Sequence, residues 1–286
     1  MRSCNPPLAS AQLHGRLLLV VFLLVFATSS VRGQAPLNLD GTKVTRGESE
    51  IVFQTSTRRA LYIAARAISN EYGWTVDYEE TAIAPTDVED IAPAEWKAAH
   101  PFQVGVLVPK QEDILIAVPH DHPLRENKDK SDVMQSLVTV SLPNRKDRVR
   151  SVQAEPDGRA TIIDAQPAEL KPIGSYEISE EAGTVGGMLA LSDIAAHCSA
   201  ASGHKLSIGV APVNLLAHMI FQRSGGLTTC RTELNQLLDA APYKLAYSIM
   251  FDPGNGQFVL NIEPVKYTTM SPSGELKSLP VRNLLP

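Results

Sequence analysis

A chain of 286 residues with 31 Asp and Glu against 26 Lys and Arg carries a net charge of −5, and a hydrophobic content of 44% is that of a globular protein. The acid surplus excludes nucleic acid as a partner, because phosphate binding takes clustered positive charge. It also gives no pull toward an anionic membrane surface.

Residues 1–33 read as a signal peptide: Arg2 and Arg16 precede an unbroken apolar run of 11, Leu17–Ala27, and small residues around Val31 and Gly33 offer a cleavage site. A spanning helix needs about 20 apolar residues, so the run is too short to cross a bilayer, and no membrane span is expected once it is cleaved. Losing residues 1–33 takes away three Arg and no acid, which moves the net charge from −5 to −8. The expected compartment is secreted or periplasmic.

Residues 34–48 hold Gly, Pro, Asn and charge without periodicity and read as a flexible lead-in. Glu50–Gln54 reads as a strand. The helix after it carries Leu61, Ala64, Ala65, Ile68 and Tyr72 on one face and stops at Gly73. Trp74–Glu79 alternates like a half-buried strand. An acidic, Pro-punctuated stretch, 80–101, separates it from two apolar runs, Val104–Val108 and Ile114–Val118, which read as a hairpin. Ser131 is a good N-cap for a helix with Val133, Leu137 and Val140. Val149–Gln153 and Ala160–Asp164 flank Pro156-Asp157-Gly158, a hairpin signal.

Two Pro and a Gly in QPAELKPIG place a domain boundary at the linker 167–174. The second half repeats the order of the first. Tyr176–Ser179 reads as a strand. A helix from Met188 carries Leu191, Ile194, Ala195 and Cys198 and ends at Gly203. Lys205–Val210 reads as a strand and 212–223 as a mixed, partly helical stretch. Thr229 caps a helix with Leu234, Leu237 and Leu238, and a hairpin turns at Asp252–Gly256. The expected fold class is α+β, with two small modules, 49–166 and 175–267, each of helices on short, mostly antiparallel sheets, as in a diverged duplication. The tail 268–286 reads as loose.

Of three Cys, Cys4 lies in the export segment. Cys198 and Cys230 remain, an even count in an oxidising compartment, and are expected to form a disulfide closing a loop of 33 residues.

The run Leu191-Ser192-Asp193-Ile194-Ala195-Ala196, followed by Ser202-Gly203-His204-Lys205-Leu206-Ser207-Ile208, resembles the first helix, glycine turn and strand of the short N-terminal domain of secretins and TonB-dependent receptors. Arg231–Ala240 followed by Tyr243–Tyr247 resembles the second helix and closing hairpin of that domain. The likeness covers about 85 of 286 residues. It implies a periplasmic module that docks to another envelope protein and brings no catalytic residues.

Candidate chemistry is sparse. His120 and His122, one residue apart after an apolar strand, could share a metal with His100, and a metal-dependent hydrolase using residues 100–122 is the alternative function. The glycines of Gly183–Gly187 lack the order of a phosphate loop and read as a turn opening a helix, and no cofactor is expected. The carboxylate pairs Glu79-Glu80, Glu89-Asp90 and Glu180-Glu181 read as solvated faces. Arg145, Lys146, Arg148 and Arg150 read as an exposed, charged strand edge. Tyr72, Trp74, Trp96 and Phe102 read as core, or as the lining of a groove. The expected function is an exported, non-enzymatic binding or scaffold protein.

Overall fold

The computed structural model describes residues 37–39, 41–103, 105–119, 127–141, 148–155, 158–166, 171–270 and 276–283. In chain order the first half holds β1 (Leu37–Leu39), β2 (Thr42–Arg46), β3 (Glu50–Thr57), helix α1 (Ala60–Tyr72), β4 (Val76–Glu80), β5 (Val88–Asp90), helix α2 (Ala94–Ala99), β6 (Leu107–Pro109), β7 (Glu112–Pro119), helix α3 (Asn127–Ser141), β8 (Val149–Ala154) and β9 (Ala160–Ala165). The second half holds β10 (Glu177–Glu180), β11 (Gly183–Gly186), helix α4 (Gly187–Ser202), β12 (Leu206–Ile208), helix α5 (Val213–Ala217), β13 (Ile220–Arg223), β14 (Gly226–Thr229), helix α6 (Cys230–Asp239), β15 (Leu245–Asp252) and β16 (Gln257–Pro264). A final hairpin, β17 (Lys266–Met270) and β18 (Leu276–Pro280), follows. The class is α+β. No helix among the described residues is long and apolar enough to cross a membrane.

The two halves share one pairing scheme. In the first, β3 pairs antiparallel with β7, β4 runs parallel to β9, and β8–β9 is an antiparallel hairpin. In the second, β10 pairs antiparallel with β14, β12 runs parallel to β16, and β15–β16 is the hairpin. Each half has its own apolar core. Ile68, Met134, Leu137 and Ile162 sit in the first, and Leu191, Ile194, Leu234 and Leu237 in the second. One parallel contact, β4 to β15, fuses the halves into a six-stranded sheet of order β12-β16-β15-β4-β9-β8.

The local signals read from the sequence act where expected. Gly73 and Gly203 end α1 and α4 in the left-handed region, at φ 68° and 74°, where a side chain would be strained. Thr229 caps α6 by accepting the Thr232 N–H at 3.1 Å. Cys198 in α4 and Cys230 in α6 lie at disulfide distance, with 5.8 Å between their Cα atoms, and both are fully buried.

Several expectations are corrected. The lead-in 34–48 contains β1 and β2, and β2 pairs with β3, burying Thr42 and Val44 on alternate positions. The tail contains the β17–β18 hairpin, and the Asn283 amide donates to the Ala241 carbonyl at 2.7 Å. The runs around Val104–Val108 and Ile114–Val118 do not pair with each other, because β6 joins β5 and β7 joins β3. Helix α3 starts a turn before Ser131. The Gly183–Gly187 turn is largely strand, with β11 paired to β13. The β11–β13 ribbon continues the register of β10–β14 across a bend, where a Cβ on Gly225 (φ 73°) would stand 2.6 Å from the Ala182 nitrogen.

Candidate functional site

Strand β4 reads Val-Asp-Tyr-Glu-Glu, and all five residues are buried in the middle of the sheet. A carboxylate removed from water must be paired and hydrogen-bonded, or folding would not proceed. The chain supplies five Arg for this. Alternation along the strand sends Asp77 and Glu79 to the side covered by α6, and Tyr78 and Glu80 to the side covered by α1.

On the α6 side, Arg231 grips Glu79 with both forks, Nε to Oε1 at 2.8 Å and Nη2 to Oε2 at 2.7 Å. The Tyr247 hydroxyl donates to the same Oε1 at 2.5 Å, and Arg231 also reaches the Gln153 side chain. Gly174 lies so close that a Cβ there would stand 2.1 Å from Glu79 Oε1. Arg159 donates to both oxygens of Asp77 at 3.1 and 3.0 Å, to the Leu245 carbonyl at 3.1 Å, and to Asp239 at the end of α6. Asp77 Oδ1 also accepts the Tyr247 N–H at 2.8 Å. Burial pushes the Asp77 carboxyl up from 3.8 to about 6 against the pull of Arg159.

On the α1 side, Arg59 donates to Glu80 at 3.1 and 3.0 Å, and the Phe251 N–H adds a bond of 2.6 Å. The Tyr78 hydroxyl donates to Asp164 at 3.1 Å. Arg148 and Arg150 close on Asp164 at 2.7 and 3.0 Å, and Arg150 pairs with Glu112 at 2.8 Å. Burial raises the Glu80 carboxyl, again against its Arg partner. Burial also holds the hydroxyls of Tyr78 and Tyr247 well above 10, and neighbouring carboxylates add to this. Reading Glu79-Glu80 as a solvated face and Arg148 and Arg150 as an exposed edge is thus overturned. All four are buried because they neutralise partners across the sheet. Arg145 and Lys146 lie outside the described residues.

A second polar cluster sits under the bent ribbon. Buried Glu180 meets His197 at 2.7 Å and Arg223 at 3.2 Å, and Arg223 also pairs with Asp193 at 3.1 Å. Glu180 therefore leaves the solvated class to which its pairing with Glu181 had assigned it.

One open concavity among the described residues is mostly apolar. A groove of about 480 Å³ is lined by Ile83, Pro85, Val88, Leu107, Phe251 and Pro253, with Asp90 on one wall. It runs between the β15–β16 turn and an arm built from β5, α2 and β6. The Ala92 N–H, at 2.9 Å, and Lys97 hold the Asp90 carboxyl below its usual range. The arm leaves Ile91 and Val106 about half exposed and Phe102 99% exposed. Tyr72, Trp74, Trp96 and Phe102 are not among the residues that line this groove. Tyr72 stacks on Trp74 at 4.6 Å beside the first core, and Trp96 stacks on His100 at 4.7 Å on the arm.

His100 ends α2, and its Nδ1 bonds the Trp96 carbonyl at 2.9 Å. His120 and His122 lie outside the described residues. Among the described residues, no three His, Cys, Asp or Glu side chains are placed to hold a metal. No family model matches the chain, and neither a curated protein nor a solved structure matches it.

Proposed function

We propose that this protein is exported, sheds residues 1–33, and works as a non-enzymatic binding or scaffold protein of the cell envelope or exterior. One observation carries the reading: the buried carboxylates of β4 and β9 are committed to Arg, Tyr and backbone donors, while the open groove is apolar. A general acid or base needs a lone pair or proton facing substrate. An apolar groove beside a projecting arm suits the alternate side chains of an extended segment from another envelope protein.

Two further features support the compartment and the kinship. Cys198 and Cys230 lie at disulfide distance, which suits an oxidising environment. The order β10, α4, β12, then β14, α6, β15 and β16, agrees with the helix, turn, strand and hairpin order behind the resemblance to the N-terminal domain of secretins and TonB-dependent receptors.

A photo-crosslinking residue at Leu107, used in the native cell, tests the binding reading. One discrete envelope partner, lost when Val88 is changed to Asp, is the expected result. Turnover of an ester, peptide or glycoside that disappears in Glu79→Gln overturns it. Intact Met1 on protein from the cytosol overturns export.

A further inference from the structure

One strand position is filled in the first half and open in the second. Strand β3 makes eight pairs with β7, and β10 and β11 together make eight with β14 and β13, four on each side of the bend. The two ladders are equivalent in the pairing scheme. On its other edge β3 carries β2, paired from Thr42 opposite Thr55 to Arg46 opposite Ile51. Among the described residues, no strand lies on the corresponding edge of β10 and β11. The helices beneath record the difference. Gly73 and Gly203, which end α1 and α4, lie 130 residues apart, so Ala67 corresponds to His197 and Glu71 to Ala201. Ala67 is 2% exposed and Glu71 is tied to Arg46 of β2. His197 keeps 47% of its side chain exposed, and Ala201 is exposed too.

The open edge has backbone groups ready to pair. The Cys230 N–H donates to the Tyr176 carbonyl and the Gly187 N–H to the Met219 carbonyl, at 2.9 and 2.8 Å, which sets the phase of both ladders. Alternation then turns the N–H and C=O of Glu177, Ser179 and Thr184 away from β14 and β13. All three residues are exposed, as are Glu181, Ala182 and Gly183 at the bend. We propose that the outer edge of β10 and β11 receives an extended, basic segment of another protein as an added antiparallel strand, in the place that β2 holds in the first half. Main-chain bonds supply the affinity of such an addition, and side chains select the partner. Glu177 and Glu181 stand exposed on the edge, and Glu180 and Asp193 lie beneath it with Arg223 between them. Strand β2 itself carries Lys43 and Arg46. A second copy of this chain fits badly. Pairing β10 with itself about Ser179 would set Glu177 opposite Glu181, and like charges directly opposite destabilise a ladder. The apolar groove is lined from other elements, so this binding goes beyond the one proposed there.

A synthetic peptide of residues 41–48, which contains β2, is the probe, titrated into the exported protein and followed by amide resonances and hydrogen exchange. The Ser179 and Thr184 amides are expected to shift saturably, with a Kd below about 1 mM, and to gain protection. The Ile178 and Val185 amides already face β14 and β13 and should gain none. The same peptide with Lys43→Glu and Arg46→Glu should bind at least about fivefold more weakly. In the protein, Ser179→Pro removes an N–H that the β14 ladder does not use. It should weaken the peptide about fivefold, the worth of one hydrogen bond, and leave the melting temperature unchanged. Val88→Asp, in the groove, should leave the titration unchanged. No saturable shift by about 1 mM, or equal binding of the Glu-bearing peptide, overturns the proposal. So does loss of binding in Val88→Asp, a shift at Val52 and Gln54 instead, which marks exchange with β2, or a dimer that shields Ser179 and Thr184 without peptide. The peptide titrations need no variant of the protein.

Discussion

Replacing Arg231 with Met leaves the Glu79 carboxylate with no cation while keeping the length of the side chain. Glu79 is 0% exposed, and Arg231 supplies two of its three hydrogen bonds, at 2.8 and 2.7 Å. Tyr247 alone remains, through its hydroxyl. Removing one partner of a buried ion pair costs about 3–5 kcal/mol, because the other charge stays desolvated. At about 2–4 °C for each kcal/mol in a chain of this size, the melting temperature should fall by roughly 6–20 °C. Chemical denaturation monitored by circular dichroism gives the free energy directly. The reasoning also fixes the sign of a second experiment. Adding Glu79→Gln to Arg231→Met removes the stranded charge, and the double variant should recover more than half of the loss. A single-variant cost below about 1 kcal/mol, or a double variant as unstable as the sum of the singles, would refute the claim that the pair is a desolvated charge lock.

Three further outcomes are expected. Asp77 has a folded pKa of about 6 against 3.8, so its stabilising contribution grows as pH falls from about 6, is complete below 3.8, and is lost as pH rises through 6. By linkage, the unaltered protein should gain about 2 kcal/mol relative to Asp77→Asn between neutral pH and pH 4, and a flat difference in denaturation midpoints would count against this. Gly174→Ala should cost about 1–3 kcal/mol, because its Cβ would meet a Glu79 carboxylate held by Arg231 and Tyr247; the same change in Glu79→Ala should cost less. Replacing both Cys198 and Cys230 with Ala should lower stability by roughly 3–4 kcal/mol, the chain-entropy value for this loop, and reductant should then have no further effect on the midpoint.

Much of the local structure was legible because it is written at short range. The stripe Leu61-Ala64-Ala65-Ile68 buries one face of α1, and the glycines at 73 and 203 supply the backbone each helix end requires. The Pro156-Asp157-Gly158 segment separates strands β8 and β9 that pair as read. The lead-in escaped because β2 is five residues long and its buried alternation rests on Val44 and one Thr, Thr42. The polar centre escaped for a different reason. Asp77, Glu79 and Glu80 have the composition of a solvated strand, and their partners Arg159, Arg231 and Arg59 lie 21 to 152 residues away along the chain. No spacing rule joins residues that far apart. The groove was missed likewise: Leu107 and Phe251 belong to different halves and meet only after folding.

By itself the sequence determined the α+β class, the order of the main helices, the closing hairpin of each half, and which two cysteines come together. These follow from periodicity, caps and turns, whose physics is complete within a dozen residues. Tertiary structure alone decided that the halves join edge to edge through β4 and β15, and that carboxylates of β4 lie buried rather than solvated. Whether a charge is exposed depends on which distant cation shares its cavity, and that is settled only when the sheet closes around both.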